Sequence, residues 1–187
     1  MTIRYALQIS GLTPLNQFTR LKKLKLFVSR VSDLSVLSSM PLLEEVDLDK
    51  RRPMTSIKDL SPLIQCKKLR VMDVGGNRDI EDLSPLAQCT HLEKIWMTSL
   101  TKITDLKPLA SLNKLNRLSI DGFPVEDVTP LSGLQELQSL YCHGIPETSS
   151  LLPLARCSKL KKLYSNSNAK ERDLLRERRP NIHLITY

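Results

Sequence analysis

An apolar phrase that returns at a nearly constant interval is the feature that most limits how this chain can fold. The pattern L-x-x-L-x-L, with other apolar residues substituting, begins at residues 21, 43, 69, 92, 115, 137 and 160, at intervals of 22 to 26 residues. A second phrase, typified by I-x-D-L-x-P-L, lies between the copies, at 31–37, 57–63, 80–86, 103–109, 125–131 and 148–154. Because so short a unit can bury its apolar face only against its neighbours, the period predicts a solenoid of stacked repeats.

Each unit combines a strand with a tight turn. Within L-x-x-L-x-L, apolar and variable residues alternate with the period of two that is typical of a half-buried strand. Stacked units place these strands side by side in a parallel sheet. The Ser-Pro or Thr-Pro step in most copies of the second phrase predicts a helical turn, with the hydroxyl at the N-cap and the proline at the first helical position. We therefore predict an α/β solenoid with a parallel sheet on one side and short helices or turns on the other.

On these residues the chain resembles the leucine-rich repeat family, in particular the short I-x-D-L-x-P-L subclass of internalin-like proteins, phosphatase-1 regulatory subunits and kinetoplastid repeat proteins. The resemblance covers about residues 9–168. It implies a concave parallel sheet, convex turns or short helices, and a partner protein that binds, usually on the concave face. Family units commonly have Asn at the corner after the strand, as Asn77 and Asn168 do here, but the equivalent position is elsewhere occupied by Ser29, Arg51, Leu100, Phe123 and Ile145.

We expect a single leucine-rich repeat domain over residues 1–187. Residues 1–20 are predicted to be a truncated first repeat, 21–168 the regular repeats, and 169–187 a C-terminal cap. In the cap, the charged segment from Lys170 to Arg178 is predicted to be a helix with Leu174 and Leu175 facing inward, and Pro180 to end it. Residues 182–184 are predicted to add a last strand.

The net charge of +8 is distributed unevenly along the chain. Residues 1–32 contain no acidic side chain and carry +6, residues 33–155 carry −4, and residues 156–187 carry +6. A nucleic-acid-binding protein more often has one continuous basic stripe. We therefore favour a protein partner, and keep as the alternative a contact of the basic ends with nucleic acid or a ribonucleoprotein.

The four cysteines are predicted to be buried, reduced thiols. Cys66, Cys89 and Cys157 stand in the same column of the repeat as Met40, Leu112 and Leu134, and Cys142 takes the last apolar position of a strand. The apolar run near the start is too short for a secretory signal, and no run is long enough to span a membrane. We expect an intracellular protein, cytoplasmic or nuclear, or alternatively mitochondrial because the acid-free start loosely resembles a presequence, and we expect no membrane partner.

No combination of residues predicts catalysis. The three histidines have no carboxylate or second histidine at metal-ligand spacing, and the turn at 75–77 is not followed by the Lys or Ser of a phosphate-binding loop. We therefore predict no enzymatic activity, no cofactor and no metal site. A column of aspartates, one per repeat, is predicted to close the turn before each helix: Asp33, Asp59, Asp82, Asp105 and Asp127.

The predicted binding residues point outward from the sheet at alternate strand positions. An acidic patch is formed by Glu45, Asp47, Asp49 and Asp73. An aromatic and basic patch beside it is formed by Lys94, Trp96, Arg117, Tyr141, His143, Tyr164 and Lys162. Because Trp, Tyr and Arg are the residues that most often dominate binding energy, we predict that this face binds a protein. The family resemblance adds a further alternative, a regulatory subunit of an enzyme such as a phosphatase.

Overall fold

The computed structural model describes the backbone of residues 2–6 and describes residues 11–27, 31–48, 57–167 and 169–186. Within these ranges, nine strands form one parallel sheet in chain order: β1 (Thr2–Ala6), β2 (Lys23–Phe27), β3 (Glu45–Asp47), β4 (Val71–Asp73), β5 (Lys94–Trp96), β6 (Arg117–Ser119), β7 (Ser139–Tyr141), β8 (Lys162–Tyr164) and β9 (His183–Ile185). Between β1 and β8, successive strands are connected through short 3-10 helices: Thr13–Gln17, Ser35–Ser39, Ser61–Gln65, Ser84–Gln88, Lys107–Ser111, Thr129–Gly133 and Leu152–Arg156. Helix α1 (Ala169–Arg178) connects β8 to β9. This architecture confirms the predicted solenoid.

The apolar positions of both phrases fill the space between the sheet and the turns. In the strand phrase that contains β6, Leu115, Leu118 and Ile120 are fully buried. In the turn phrase before it, Ile103 and Leu106 are buried in the same core. The same positions are buried in one repeat after another, so each unit completes the core of its neighbours and depends on them for its stability.

In five of the described turns, an aspartate, and not a serine hydroxyl, holds the start. In the turn Ser84–Gln88, the N–H of Ser84 donates to Asp82 Oδ1 at 2.7 Å and its Oγ donates to Asp82 Oδ2 at 2.6 Å. These bonds lower the pKa of the Asp82 carboxyl below its usual value. The prediction of a hydroxyl N-cap was therefore wrong, because the serine is already inside the turn, whereas the predicted role of the aspartates is confirmed by the same backbone bond at Asp33, Asp59, Asp105 and Asp127.

Asn77 is fully buried at the corner after β4 and joins two repeats. Its Nδ2 donates to the carbonyl oxygens of Leu48 at 3.0 Å and Val74 at 2.9 Å. Its Oδ1 accepts the N–H of Ile57 at 3.1 Å. At the three later described corners, apolar side chains are buried in its place: Leu100, Phe123 and Ile145. The corner positions Ser29, Arg51 and Asn168 lie outside the described residues.

Helix α1 docks against the last turn of the solenoid. Leu175 is fully buried, whereas Leu174 is half-buried, so one of the two leucines predicted to face inward does so completely. Oε2 of Glu171 accepts the N–H of Leu151 at 2.9 Å and the hydroxyl of Ser150 at 3.2 Å. Ser150 stands at the position of the earlier aspartates, and its hydroxyl accepts the N–H of Leu152 at 3.3 Å, so the cap's carboxylate adds a bond to the neighbouring N–H. Within the described ranges, no helix is long and apolar enough to cross a membrane.

The four cysteines are all buried and unpaired with one another, which confirms that their thiols belong to the core. Burial raises the pKa of Cys66 to about 12 and the pKa values of Cys89 and Cys157 to about 11, and it also raises the pKa of Cys142. In the shared column, each thiol donates to a carbonyl of the preceding repeat: Cys66 to Leu37 at 3.4 Å, Cys89 to Leu63 at 3.5 Å and Cys157 to Leu131 at 3.2 Å.

We expect these thiols to react slowly with a bulky thiol reagent while the protein is folded. Burial blocks access, and the raised pKa values keep the reactive thiolate scarce at neutral pH. Labelling followed by mass spectrometry, native and in denaturant, measures this directly. Rapid labelling of Cys66, Cys89 or Cys157 under native conditions, at the rate found in denaturant, would contradict the assignment.

Candidate functional site

The outward face of the sheet carries two rows of side chains that flank the buried central residue of each strand. The strands pair in register, so equivalent positions lie next to one another across the sheet. The first row runs through Lys23, Glu45, Val71, Lys94, Arg117, Ser139 and Lys162. The second row runs through Lys25, Asp47, Asp73, Trp96, Ser119, Tyr141 and Tyr164. Asp49, predicted to belong to the acidic patch, lies outside the described residues.

Two tyrosines of the second row stack on each other. The rings of Tyr141 and Tyr164 have centroids 4.2 Å apart and are within 9° of parallel. The imidazole of His143 is tilted beside them, with its centroid 6.4 Å from that of Tyr164. Both tyrosines remain partly exposed, so the pair presents a rigid aromatic surface to whatever approaches the sheet.

Trp96 lies apart from the tyrosine pair. Ser119 stands between Trp96 and Tyr141 in the second row, so the indole is separated from the stack by one strand. On its other side Trp96 adjoins Asp73 and borders a cavity of about 200 Å³. The cavity is also lined by Lys25, Glu45, Val46, Asp47 and Val71. The predicted aromatic patch therefore consists of two separate groups, one of which contacts the acidic patch.

Ser119 and Ser139 lie at outward positions of their strands, but they are not exposed. Ser119 is 3% exposed and Ser139 is 8% exposed. In the register, Ser119 lies between Trp96 and Tyr141, whose side chains are much larger and extend further from the sheet. Its Oγ donates to Asp121 Oδ2 at 3.0 Å.

Asp121 joins Ser119 to His143 in a hydrogen-bonded chain. Its Oδ1 accepts the backbone N–H of His143 at 2.8 Å and lies 3.1 Å from His143 Nδ1. The Asp121 carboxylate, and not the His143 imidazole, thus accepts the hydrogen bond of the Ser119 hydroxyl. This chain of hydrogen bonds orients the Ser119 hydroxyl and the His143 imidazole relative to each other.

The acidic patch is tied to the lysines of β2. Lys23 Nζ lies 2.8 Å from Glu45 Oε2, and Lys25 Nζ lies 2.7 Å from Glu45 Oε1 and 3.8 Å from Asp47 Oδ2. Hydrogen bonds from both lysines hold the pKa of the Glu45 carboxyl below its usual value. The N-terminal basic cluster and the acidic patch, predicted as separate features, therefore neutralise each other in part.

Cations on the C-terminal half of the sheet differ from those on the N-terminal half in their partners. Near the N-terminal half, Lys22 pairs with Glu44 at 2.8 Å, and Arg70 donates to both carboxylate oxygens of Glu93 at 2.8 and 3.1 Å. No carboxylate of the described residues lies within ion-pair distance of the first-row cations further along the sheet: Lys94, Arg117 and Lys162. The sheet thus presents balanced charge at one end and uncompensated positive charge at the other.

Sequence reasoning missed three residues that shape this face. Lys25 lines the cavity beside Trp96, and Asp121 holds both Ser119 and His143 by hydrogen bonds. The repeat register could have placed Lys25 beside Asp47, because both occupy the same strand position. The hydrogen bonds of Asp121 depend on side-chain rotamers and had no signal in the pattern. In the part of the chain that the structure describes, no group of His, Cys, Asp or Glu could hold a metal ion.

Solved structures with the same architecture are leucine-rich repeat proteins. The chain is similar to an internalin, InlF, from Listeria monocytogenes, with a TM-score of 0.84 and 26% identity over 95% of this chain and 51% of that one, so it spans about half of InlF. It is also similar to internalin C2 from the same bacterium, with a TM-score of 0.83 and 24% identity over 100% of this chain and 80% of that one. No protein-family model and no curated protein sequence matches the chain.

A more distant likeness is to the plant peptide hormone receptor RGFR1, whose structure was solved in complex with RGF2. The TM-score is 0.64, with 19% identity over 92% of this chain and 29% of the receptor chain. At this identity the likeness concerns the fold alone.

Proposed function

We propose that this chain, whose fold is similar to that of internalins and other leucine-rich repeat proteins, is a non-enzymatic module that binds a partner protein on the outward face of its sheet. The observation that carries the proposal is the partly exposed, stacked pair of Tyr141 and Tyr164. Stacked rings have lost most of their rotational freedom before a partner arrives, so binding costs little additional entropy. Large amphipathic rings of this kind are enriched among the residues that dominate binding energy.

Trp96 supplies a second anchor of different character. Its indole borders the cavity that also contains the carboxylates of Asp47 and Asp73. We propose that the tyrosine pair contributes apolar contact area. The carboxylates beside Trp96 are proposed to select the partner by its charge. On the first row, Lys94 and Arg117 flank these aromatics with positive charge. The partner surface is thus proposed to be apolar at its centre, with charges of both signs around it.

Two further features belong to the proposal. We propose that residues 1–187 act as one leucine-rich repeat domain, with 169–187 as its cap, because Glu171 of α1 bonds directly to Leu151 of the last turn. We propose a reducing, intracellular compartment, which is consistent with four buried thiols that are not paired with one another. The receptor–hormone complex of the same fold is a precedent for recognition of a polypeptide.

Replacing Trp96 and Tyr141 with alanine tests the interface. Each truncation is expected to weaken binding of the partner by about thirty-fold or more, which corresponds to the roughly 2 kcal/mol typical of a buried aromatic anchor. The measurement is a titration of the immobilised protein with the partner recovered on the wild-type protein. Lys68→Ala and Gln88→Ala, exposed residues on the turn side, serve as controls and should bind like the wild type. Equal binding by all four variants would refute the proposed face.

A second arm of the same titration separates a protein partner from nucleic acid. Asp47→Lys is expected to change mainly the salt-sensitive association rate, because a charge near the rim steers encounter more than it holds the complex. A nucleic-acid partner would instead bind with an affinity that falls steeply with salt. Nucleic-acid binding would be lost when the basic ends are neutralised by replacing Lys22, Lys23 and Lys25, or Arg176, Arg178 and Arg179. That outcome would replace the proposal.

A further inference from the structure

A groove of about 620 Å³ lies at the C-terminal end of the solenoid, at the edge where the strands begin. One wall is the last turn and the loop that leads into β8, and the other is the loop between α1 and β9. Residues on the first wall include Arg156, Lys159 and Lys161, and the second wall contains Arg178 and Arg179. The groove is therefore built by the last repeat and the cap together, away from the aromatic rows of the sheet.

The lining of the groove is strongly basic. Among the described residues, it contains five cationic side chains and not one carboxylate. Lys159 pairs with Glu136, which lies outside the lining, at 2.6 Å. For Arg156, Lys161 and Arg178, the described residues provide no carboxylate within ion-pair distance. Several uncompensated positive charges thus converge on one concavity.

Arg179 is fixed in this groove by the backbone. Its guanidinium donates to the carbonyl oxygens of Ala155 at 3.2 Å, Ser158 at 2.9 Å and Leu160 at 3.2 Å, and also to that of Cys157. Four carbonyl dipoles orient the guanidinium, but they do not cancel its unit charge. The other cations of the groove therefore lie around the Arg179 guanidinium, whose position is set by the fold. Because this guanidinium is already held in place, less side-chain entropy is lost when an anion binds.

We propose that this groove binds an acidic segment of a protein partner, a short stretch of chain with clustered carboxylates. The proposal goes beyond the binding face of the sheet and does not depend on it. Carboxylates match the guanidinium groups of Arg156 and Arg178, which can bind them through two parallel hydrogen bonds. The aliphatic stems of the same side chains, with Leu160 and Pro180, offer apolar contact to the rest of the segment.

The lining disfavours nucleic acid as the occupant. The residues that the structure describes there include no aromatic ring on which a base could stack, and stacking platforms are the usual partner of a basic channel for single strands. The row of residues that contains Lys161 is not basic along the solenoid. Its cations on the N-terminal half, Lys22 and Arg70, are paired with glutamates, so this row offers a phosphate backbone no continuous track.

Fluorescence anisotropy with a labelled peptide of about ten glutamates tests the proposal at low and at roughly physiological salt. The wild-type protein is expected to bind the peptide, more weakly as salt rises. The triple variant Arg156→Ala, Lys161→Ala, Arg178→Ala should lose about tenfold or more in affinity. A matched triple variant, Lys67→Ala, Lys68→Ala, Lys114→Ala, removes the same net charge from exposed positions elsewhere and should bind within about twofold of the wild type.

Three results would overturn the proposal. One is no binding of the peptide at low salt. Another is an equal loss in both triple variants, which would assign the binding to net charge. The third is tighter binding of a single-stranded oligonucleotide of equal charge that is lost only in the groove variant, which would make the groove a nucleic-acid site. A Trp96→Ala, Tyr141→Ala double variant should bind the peptide normally, so failure of the groove and failure of the sheet face are distinguishable.

Discussion

Replacing Leu118 with alanine is expected to lower the free energy of unfolding by about 2–5 kcal/mol. Leu118 is fully buried at the centre of β6, and in the register it lies between Ile95 and Leu140, which are also fully buried. Truncation removes apolar contacts and leaves a cavity that the neighbouring strands can collapse into only in part. Because both adjacent repeats share this column, the loss weakens two interfaces between repeats.

The matched control for this variant is Arg117→Ala. Arg117 is the neighbouring residue on the same strand, but it is exposed on the outward face and makes no ion pair with a described residue. Its replacement is expected to change the free energy of unfolding by less than about 0.5 kcal/mol. Urea unfolding of the two variants, followed by circular dichroism, provides the comparison. If Leu118→Ala and Arg117→Ala unfold at the same urea concentration, the assignment of the two strand faces fails.

The buried residues of the strands could be predicted because each repeat places them at the same position as its neighbours do. A strand period of two decides which residues of one repeat face the core, and the spacing of the repeats then aligns those residues with their counterparts. Ile95, Leu118 and Leu140 stand at the same position of the phrase, and the structure pairs them across three strands. The fold therefore followed from local patterning alone.

Exposure on the outward face could not be predicted in the same way. Ser119 has the correct face by period, but its burial depends on the size of Trp96 and Tyr141 on either side. The separation of Trp96 from the tyrosine stack has the same origin, since a serine interrupts the row of rings. A residue's accessibility on a sheet is thus a property of three strands, whereas the pattern reports one strand at a time.

The net charges of consecutive segments predict poorly which charged side chains lie together, whereas the register of the strands predicts it well. Counting along the chain assigns Lys23 and Lys25 to a basic end and Glu45 to an acidic centre. The repeat places them side by side on adjacent strands, and both lysines contact the same carboxylate. A solenoid brings together residues about one repeat apart, so its charges must be compared across the period and not summed over consecutive residues.

The second large effect is expected at the corner after β4, where Asn77→Ala should lower the free energy of unfolding by about 2–4 kcal/mol. Asn77 is fully buried, and its side chain bonds to the backbone of Leu48, Val74 and Ile57. Alanine would leave the N–H of Ile57 without its amide acceptor and the carbonyl of Leu48 without its amide donor. Three hydrogen bonds to buried backbone groups are lost, and each contributes about 0.5–1.5 kcal/mol.

Asn113→Ala is the control, because Asn113 is an exposed asparagine in the same solenoid. Its loss should cost less than about 0.5 kcal/mol. Asn77→Asp provides a second comparison: the carboxylate can still accept from Ile57, but it has no N–H to donate to Leu48 or Val74, and its charge would be buried. We therefore expect Asn77→Asp to destabilise at least as much as Asn77→Ala at neutral pH, and to recover part of that loss as the carboxyl protonates in acid. If Asn77→Ala unfolds at the same urea concentration as Asn113→Ala, the corner is held by its apolar neighbours and not by the amide bridge.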